Sequence, residues 1–206
     1  MNVVFDALGT LFDPTPLRDR LGAAAFEAWF ERTLHSAAVV TILGDFVAFA
    51  ELAEATLATT AEVLGLDVDP ADVVGELRRL PPAEDARPAL EHVRDRGGRA
   101  FILTNGGREA GEELVERAGL AGLVERVFGV DEVQAYKPDP RPYRLVVDAI
   151  GGEGTLVAAH AWDVVGAVRA GMGGVWVDRH ERVWPFPDEL APHSAAPNVL
   201  EAVLLG

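Results

Sequence analysis

From Pro88 to Val177 short apolar runs alternate with segments of helical length, and few architectures accept such an alternation. The pattern predicts helices over 88–96, 108–118, 140–150 and 163–170, with strands over 100–104, 126–130, 155–159 and 175–177 between them. The run AFILT at 100–104 shows the type: it is apolar throughout and stops at Asn105-Gly106-Gly107. Strands without polar alternation are buried on both faces, and strands separated by helices pair in parallel through right-handed crossovers. The chain therefore reads as α/β, with a doubly wound parallel sheet in a Rossmann-like core. Val3, Val4 and Phe5 have the same β-branched and aromatic character and belong to that sheet.

The segment between them is different. Leu17, Leu21, Ala25 and Ala28 with Trp29 recur at helical spacing, and Phe26, Phe30 and Leu34 widen the apolar face of what reads as one helix. A second helix is expected to open at Gly44-Asp45 with Asp45 as its N-cap, to carry Phe46, Phe49, Leu52, Ala53, Leu57 and Val63, and to stop at Gly65. A third runs from Asp69-Pro70 to just before Pro81-Pro82. Residues 14–84 are thus predicted to be a helical cap domain inserted into a core domain made of 1–13 and 85–206. The tail from Trp184 to Pro197 is expected to wrap the core before a last short helix. Phe46, Phe49 and Leu52 are either core or the seam of a homodimer, core being the safer reading.

Composition narrows the function. The 206 residues are 49% hydrophobic, enough for one full core. A net charge of -15, from 18 Lys+Arg against 33 Asp+Glu, argues against sequence-independent nucleic-acid binding. Arg78 and Arg79 read as a solvated helix end. Zero cysteines remove disulfides, thiolate nucleophiles and thiolate metal sites together. No apolar run approaches membrane-spanning length and no signal segment precedes the first strand, so a cytoplasmic protein without a membrane partner is expected. An acidic protein that binds an anion must concentrate positive potential in one cleft. A lysine near a candidate site is therefore informative.

In open α/β sheets ligands bind beyond the carboxyl ends of the strands. Four strand ends here carry polar residues: Asp6 and Thr10, Thr104 and Asn105, Lys137 in AYKPDPRPY, and His160, Trp162 and Asp163 in HAWD. Singly these are a turn carboxylate, a common turn pair, a solvated lysine and packing residues. Together, on one edge of one sheet, they form a candidate site.

That order of motifs resembles the haloacid dehalogenase-like superfamily, and within it the (S)-2-haloacid dehalogenase branch. DALGTLFD looks like its nucleophile motif, ILTN like the second, the stretch with Lys137 and Tyr143 like the third, and HAWD like the fourth. The resemblance implies a metal-independent, cofactor-free hydrolase. Asp6 attacks the halogen-bearing carbon of a short 2-halocarboxylate, and water then cleaves the resulting ester. It further implies that Lys137 balances Asp6 and Asp163, that Asp163, directly or through His160, handles the water, and that Thr10 steadies the developing charge. The substrate carboxylate is expected at Thr104 and at the amides of Ala7 and Leu8, with Asn105 near the halide.

Phosphatases of the superfamily carry a second acid two residues after the nucleophile and an acidic magnesium ligand four residues before the last Asp. Here those places hold Leu8 and Ala159. A poor alkoxide leaving group needs a proton donor, whereas a halide departs without one. The chain also departs from the dehalogenase pattern. Phe30 stands where an Arg grips the halide, His160 where Asn is expected and Ala158 where Ser is expected. Arg32 lies roughly 200° further round a helix of about 3.6 residues per turn and cannot replace that Arg. Aromatic edges at Trp29, Phe30 or Trp162 could cradle a halide instead. Two alternatives stay open: a phosphatase or other ester hydrolase on the same fold, and a non-catalytic protein that binds an anion or a partner.

Overall fold

The structure, a computed structural model, describes residues 1–205. Its centre is β1 (Asn2–Phe5), with β2 (Arg99–Thr104) on one side and β4 (Thr155–Ala158) on the other. Outward lie β3 (Arg126–Gly129) beyond β2, and β5 (Gly173–Val177) with β6 (Ser194–Ala196) beyond β4. All pairings are parallel, in the order β3-β2-β1-β4-β5-β6. The direction of winding reverses at β1, and an open α/β sheet binds its ligand at that reversal.

Apolar residues at alternate positions divide the core between the two faces. Val3, Phe5, Ile102 and Val127 pack beneath α5 (Ala86–Asp95), α6 (Arg108–Arg117) and α9 (Val199–Leu204). Val4, Phe101, Leu103, Phe128 and Leu156 meet α7 (Pro140–Ile150) and α8 (Ala161–Arg169) on the other face. Burying side chains such as Phe5 and Phe128 completely contributes about 1.5–3 kcal/mol each.

Between β1 and α5 the chain forms α1 (Thr15–Leu21), α2 (Ala23–Leu43), α3 (Phe49–Leu64) and α4 (Pro70–Glu76), followed by a 3₁₀ turn at Leu77–Arg79. The single helix expected over residues 17–34 is instead two. Gly22, at φ 82° and ψ 140°, breaks it in a conformation that L side chains rarely adopt. Asp45 does not cap α3, which begins at Phe49 after an extended Ala48. Residues 45–48 form no regular element, and Phe46 packs on Tyr136. Asp69 does cap α4, accepting from Ala71 N at 2.9 Å and Asp72 N at 3.3 Å. α2 and α3 lie together, joined by Trp29 Nε1 donating to Ala53 O (2.9 Å) and by a buried Thr33–Thr56 hydroxyl pair at 2.7 Å.

The helical layer joins the sheet through two strands of chain that run side by side. Asp13 N donates to Pro81 O at 2.9 Å and Ala83 N to Leu11 O at 2.8 Å. The tail does more than wrap the core, because Ser194–Ala196 adds a strand to β5. Among the described residues no helix is long and apolar enough to cross a membrane.

Candidate active site

β1 ends at Phe5, yet the Asp6 amide still donates to Val157 O of β4 at 3.1 Å, so the carboxylate is mounted on the sheet and not on a free loop. The chain then turns sharply around Ala7 O, which accepts from the amides of Thr10, Leu11 and Phe12 at 3.3, 2.9 and 3.0 Å. Gly9 makes this turn at φ 75°, and a methyl group there would lie 3.2 Å from His160 Cε1. The turn leaves the amide N–H groups of Ala7 and Leu8 without an acceptor among the described residues, and both residues line a cavity. Two parallel donors of this kind suit a carboxylate.

Lys137 is placed by its own backbone. Its amide donates to Asn105 Oδ1 at 2.9 Å, and two residues on Asp139 caps α7 through Arg141 N at 2.9 Å. From there Nζ uses all three protons: to Asp6 Oδ1 at 2.8 Å, to Asp163 Oδ2 at 2.6 Å and to Leu103 O at 3.0 Å. The second oxygen of Asp6 accepts from the Thr10 hydroxyl at 3.1 Å and lies 3.0 Å from His160 Nδ1. Facing a carboxylate, that imidazole nitrogen carries the proton. Thr10 Oγ1 in turn accepts from Ala159 N at 2.9 Å, which fixes the direction of its own proton. The second oxygen of Asp163 accepts from Tyr143 OH at 2.6 Å.

These contacts order the charges. Burial pushes the Asp6 carboxyl up, but the ammonium of Lys137 and the donors on both oxygens outweigh it and hold the group well below the usual carboxylate range. Asp163, fully buried, is raised by that burial and by the Asp6 charge, with Lys137 opposing. Burial lowers Lys137, but its two carboxylates overcome this and leave it above its ordinary value. Burial and the neighbouring Asp163 raise Tyr143 well above an ordinary phenol, so it stays a donor. At neutral pH the Asp6 carboxylate is therefore ionised while excluded from bulk water.

Above Asp6 opens a cavity of about 270 Å³ between the sheet edge and the helical layer. Ala7, Leu8, Phe30, Thr104, Asn105, His160 and Trp162 line it with Asp6. Thr104 Oγ1 accepts from Gly106 N at 3.0 Å, leaving its own proton free to donate into the cavity. Phe30 stacks on Phe26 (5.9 Å, 9°) and leans on His160 (5.5 Å), whose other neighbour is Trp162 at 5.4 Å. Trp162 also stands 5.7 Å from Lys137 Nζ, over its ring face. Tyr143 and Asp163 lie behind this surface. Tyr143 is completely buried, and its hydroxyl meets Asp163 and not the cavity. No side-chain contact joins Asp163 to His160; the Asp163 amide donates to the His160 carbonyl at 3.1 Å. Trp29 is turned away, its indole N–H spent on α3.

Other contributors were not apparent from the sequence. Arg78, read as a solvated helix end, lines the cavity and pairs with Glu113 at 3.1 Å. The end of β5 also serves the site. Arg179 donates to Thr10 O at 2.9 Å while gripping both oxygens of Asp85, and Glu181 accepts from Ala161 N at the start of α8 at 3.0 Å. The signal was present as DRHE directly after the apolar GVWV, a fifth strand end with polar residues.

Comparison with known proteins identifies the family. The profile of the haloacid dehalogenase-like hydrolases matches residues 1–171. Haloacetate dehalogenase H-2 of Moraxella sp. (strain B) is 32% identical over 191 residues, covering 86% of this chain and 85% of that protein. The crystal structure of the L-2-haloacid dehalogenase RSc1362 superposes with a TM-score of 0.94 at 27% identity, covering 99% of this chain and 97% of the other. The L-2-haloacid dehalogenase of Xanthobacter autotrophicus with chloropropionic acid covalently bound does so with a TM-score of 0.84 at 26% identity, over 99% and 97% of the two chains. With its motifs carried on the strand ends of a matching fold, the chain belongs to the haloacid dehalogenase-like hydrolase family.

Proposed function

We propose that the protein is a 2-haloacid dehalogenase that works through an aspartyl ester. The observation that carries this reading is Lys137, whose ammonium lies between two buried carboxylates and leaves Asp6 ionised beneath a largely apolar cavity. An ionised carboxylate with little water around it is a competent nucleophile toward carbon.

The substrate carboxylate docks on the free amides of Ala7 and Leu8 and on Thr104, which turns C2 toward Asp6. An Asp6 oxygen bonds to C2 as the carbon–halogen bond breaks, and the halide leaves with the electron pair toward Asn105 and the aromatic edges of Phe30 and Trp162. Water then attacks Cγ of Asp6. Lys137 and Thr10 hold the charge that develops on the ester oxygens. His160 is the basic group on the cavity surface, and with Nδ1 donating to Asp6 its Nε2 is free to take the proton from water. The ester bond opens at Cγ as the proton held by His160 passes to the departing alkoxide oxygen, releasing a 2-hydroxy acid, and Asp6 keeps one oxygen from water. Asp163 and Tyr143 act one layer down, fixing Lys137 between the carboxylates. Residues 14–84 serve as the cap that closes the site over a core of 1–13 and 85–206.

Phosphate transfer through magnesium does not suit these residues. Leu8 and Ala159, without oxygen donors, stand where that chemistry needs acids, and the Lys137 ammonium already holds both carboxylates. The test is halide release from 2-chloropropionate with and without chelator, followed by one turnover in ¹⁸O-labelled water. Expected are turnover that survives chelation and label in Asp6 before it reaches product. Label passing straight into the first product molecule would remove the ester.

A further inference from the structure

We propose that this site favours 2-haloacids with an extended apolar substituent on C2, an unbranched chain of about four carbons, over chloroacetate and 2-chloropropionate. The inference rests on the dehalogenase reading and deepens it by naming the substrate class.

The first observation is size. 2-Chloropropionate has six non-hydrogen atoms, and if each displaces no more than one water's share of about 30 Å³, the acid fills at most about 180 Å³. The cavity measures about 270 Å³. The surplus holds at least three more carbons.

The second observation is the wall. The uncharged donors, the amides of Ala7 and Leu8 with Thr104 and Asn105, are gathered at the Asp6 end, where the carboxylate and halide must lie. Leu34 of α2, Phe46 in the segment before α3, Phe49 at its start, Val74 of α4, Leu77 beyond it and Leu114 of α6 enclose the remainder with carbon. Arg78, Glu109 and Asp131 also reach the lining, but they are solvated side chains and mark the mouth. With the carboxylate docked and C2 facing Asp6, the fourth substituent of C2 has this apolar space before it.

The third observation is that the wall is braced and does not fall inward to fill the void. Phe46 stacks on Tyr136 at 5.4 Å and Phe49 contacts the same ring at 6.4 Å. The Tyr136 hydroxyl is tied to Val47 O at 2.6 Å and its amide to Thr41 Oγ1 at 3.1 Å. A braced carbon cavity wets poorly and gains from an apolar ligand. A polar tip on the substituent would lose its hydration there without finding partners.

The experiment is halide release by the wild-type protein from chloroacetate, 2-chloropropionate, 2-chlorobutanoate, 2-chlorohexanoate and the polar-tipped 2-chloro-4-hydroxybutanoate. Each methylene buried is expected to raise kcat/KM about three- to fourfold, so 2-chlorohexanoate exceeds 2-chloropropionate by about 30-fold or more. The hydroxylated acid is expected to fall below 2-chlorobutanoate. Leu34→Trp, which fills the surplus space, is expected to cut the hexanoate-to-propionate ratio at least tenfold. Values of kcat/KM that stay level or decline beyond 2-chloropropionate overturn this inference alone. Absence of halide from every acid overturns it together with the dehalogenase reading.

Discussion

The floor and the roof of the cavity are built on opposite rules. In the floor Asp6, Thr10, Lys137, Tyr143 and Asp163 are buried, and each carboxylate oxygen has a named donor. The roof is Phe30, Leu34, Phe46 and Phe49, carbon against carbon. Buried charges are tolerated only as a complete set, since removing one strands the others in a medium that cannot solvate them. A carbon wall loses energy in small steps as its shape changes. The comparison teaches that the chemistry of this site is brittle while its selectivity is adjustable.

Breaking the floor at its centre should have the largest effect. Asp6→Asn is expected to lower kcat by at least about 10⁴-fold, read as halide release, with the fold kept because the amide oxygen still accepts from Lys137.

Lys137→Met should come next, leaving two carboxylates facing each other. A loss of about 3–5 kcal/mol is expected in urea unfolding, the cost of an uncompensated buried charge. The pH dependence carries its own signature. Lys137 is raised in the folded state, so its contribution is complete below the unfolded pKa of about 10.4 and is lost as pH rises through the folded value. Asp6 is depressed, so its contribution is present above about pH 3.9 and is lost as pH falls toward the folded value. Asp163, raised, works in the opposite sense and blunts the acid limb. Tyr143, also raised, adds to the alkaline limb, so the variant should show a shallower alkaline loss of stability than wild type and not the absence of one.

His160→Asn keeps a donor for Asp6 but removes the proton acceptor at the cavity surface. Ester hydrolysis should slow about 100-fold while ester formation persists, giving a burst of halide and a protein alkylated at Asp6, read by intact mass. An unchanged steady state would return the water to another base.

The mildest change is at the rim. Arg78 is solvated, and its pair with Glu113 is weak, so Arg78→Met should raise KM only about two- to fivefold, more at low ionic strength than at high. Equal KM values at both ionic strengths would show that Arg78 does not attract the substrate.

Legibility followed the range of the forces involved. The strands and their polar ends could be read because burial on both faces and turn chemistry are written into a few neighbouring residues, as at AFILT before Asn105-Gly106. Asp69 could be read as a helix start for the same local reason, being followed by proline. The break at Gly22 was hidden, because a lone glycine inside a helical period is usually tolerated. Asp45 misled, because residues 45–48 stay outside the helix while Phe46 packs directly on Tyr136, a contact between distant segments. Ser194–Ala196 has too few residues to announce a strand and depends on the open edge of β5. Arg78 reaches the lining because α4 gives way to a 3₁₀ turn, which no residue pattern announced.

By itself the sequence determined that a parallel sheet would present Asp6, Thr104, Lys137 and Asp163 near one edge, because side-chain period and strand length are local properties. Only the tertiary structure decided that one ammonium would touch two of those carboxylates, that Tyr143 would lie beneath the site, and that carbon would enclose the space above it. Those outcomes depend on residues 131 and 26 positions apart meeting where water is excluded. Distances in that setting, and the charges they permit, are set by packing and not by any segment alone.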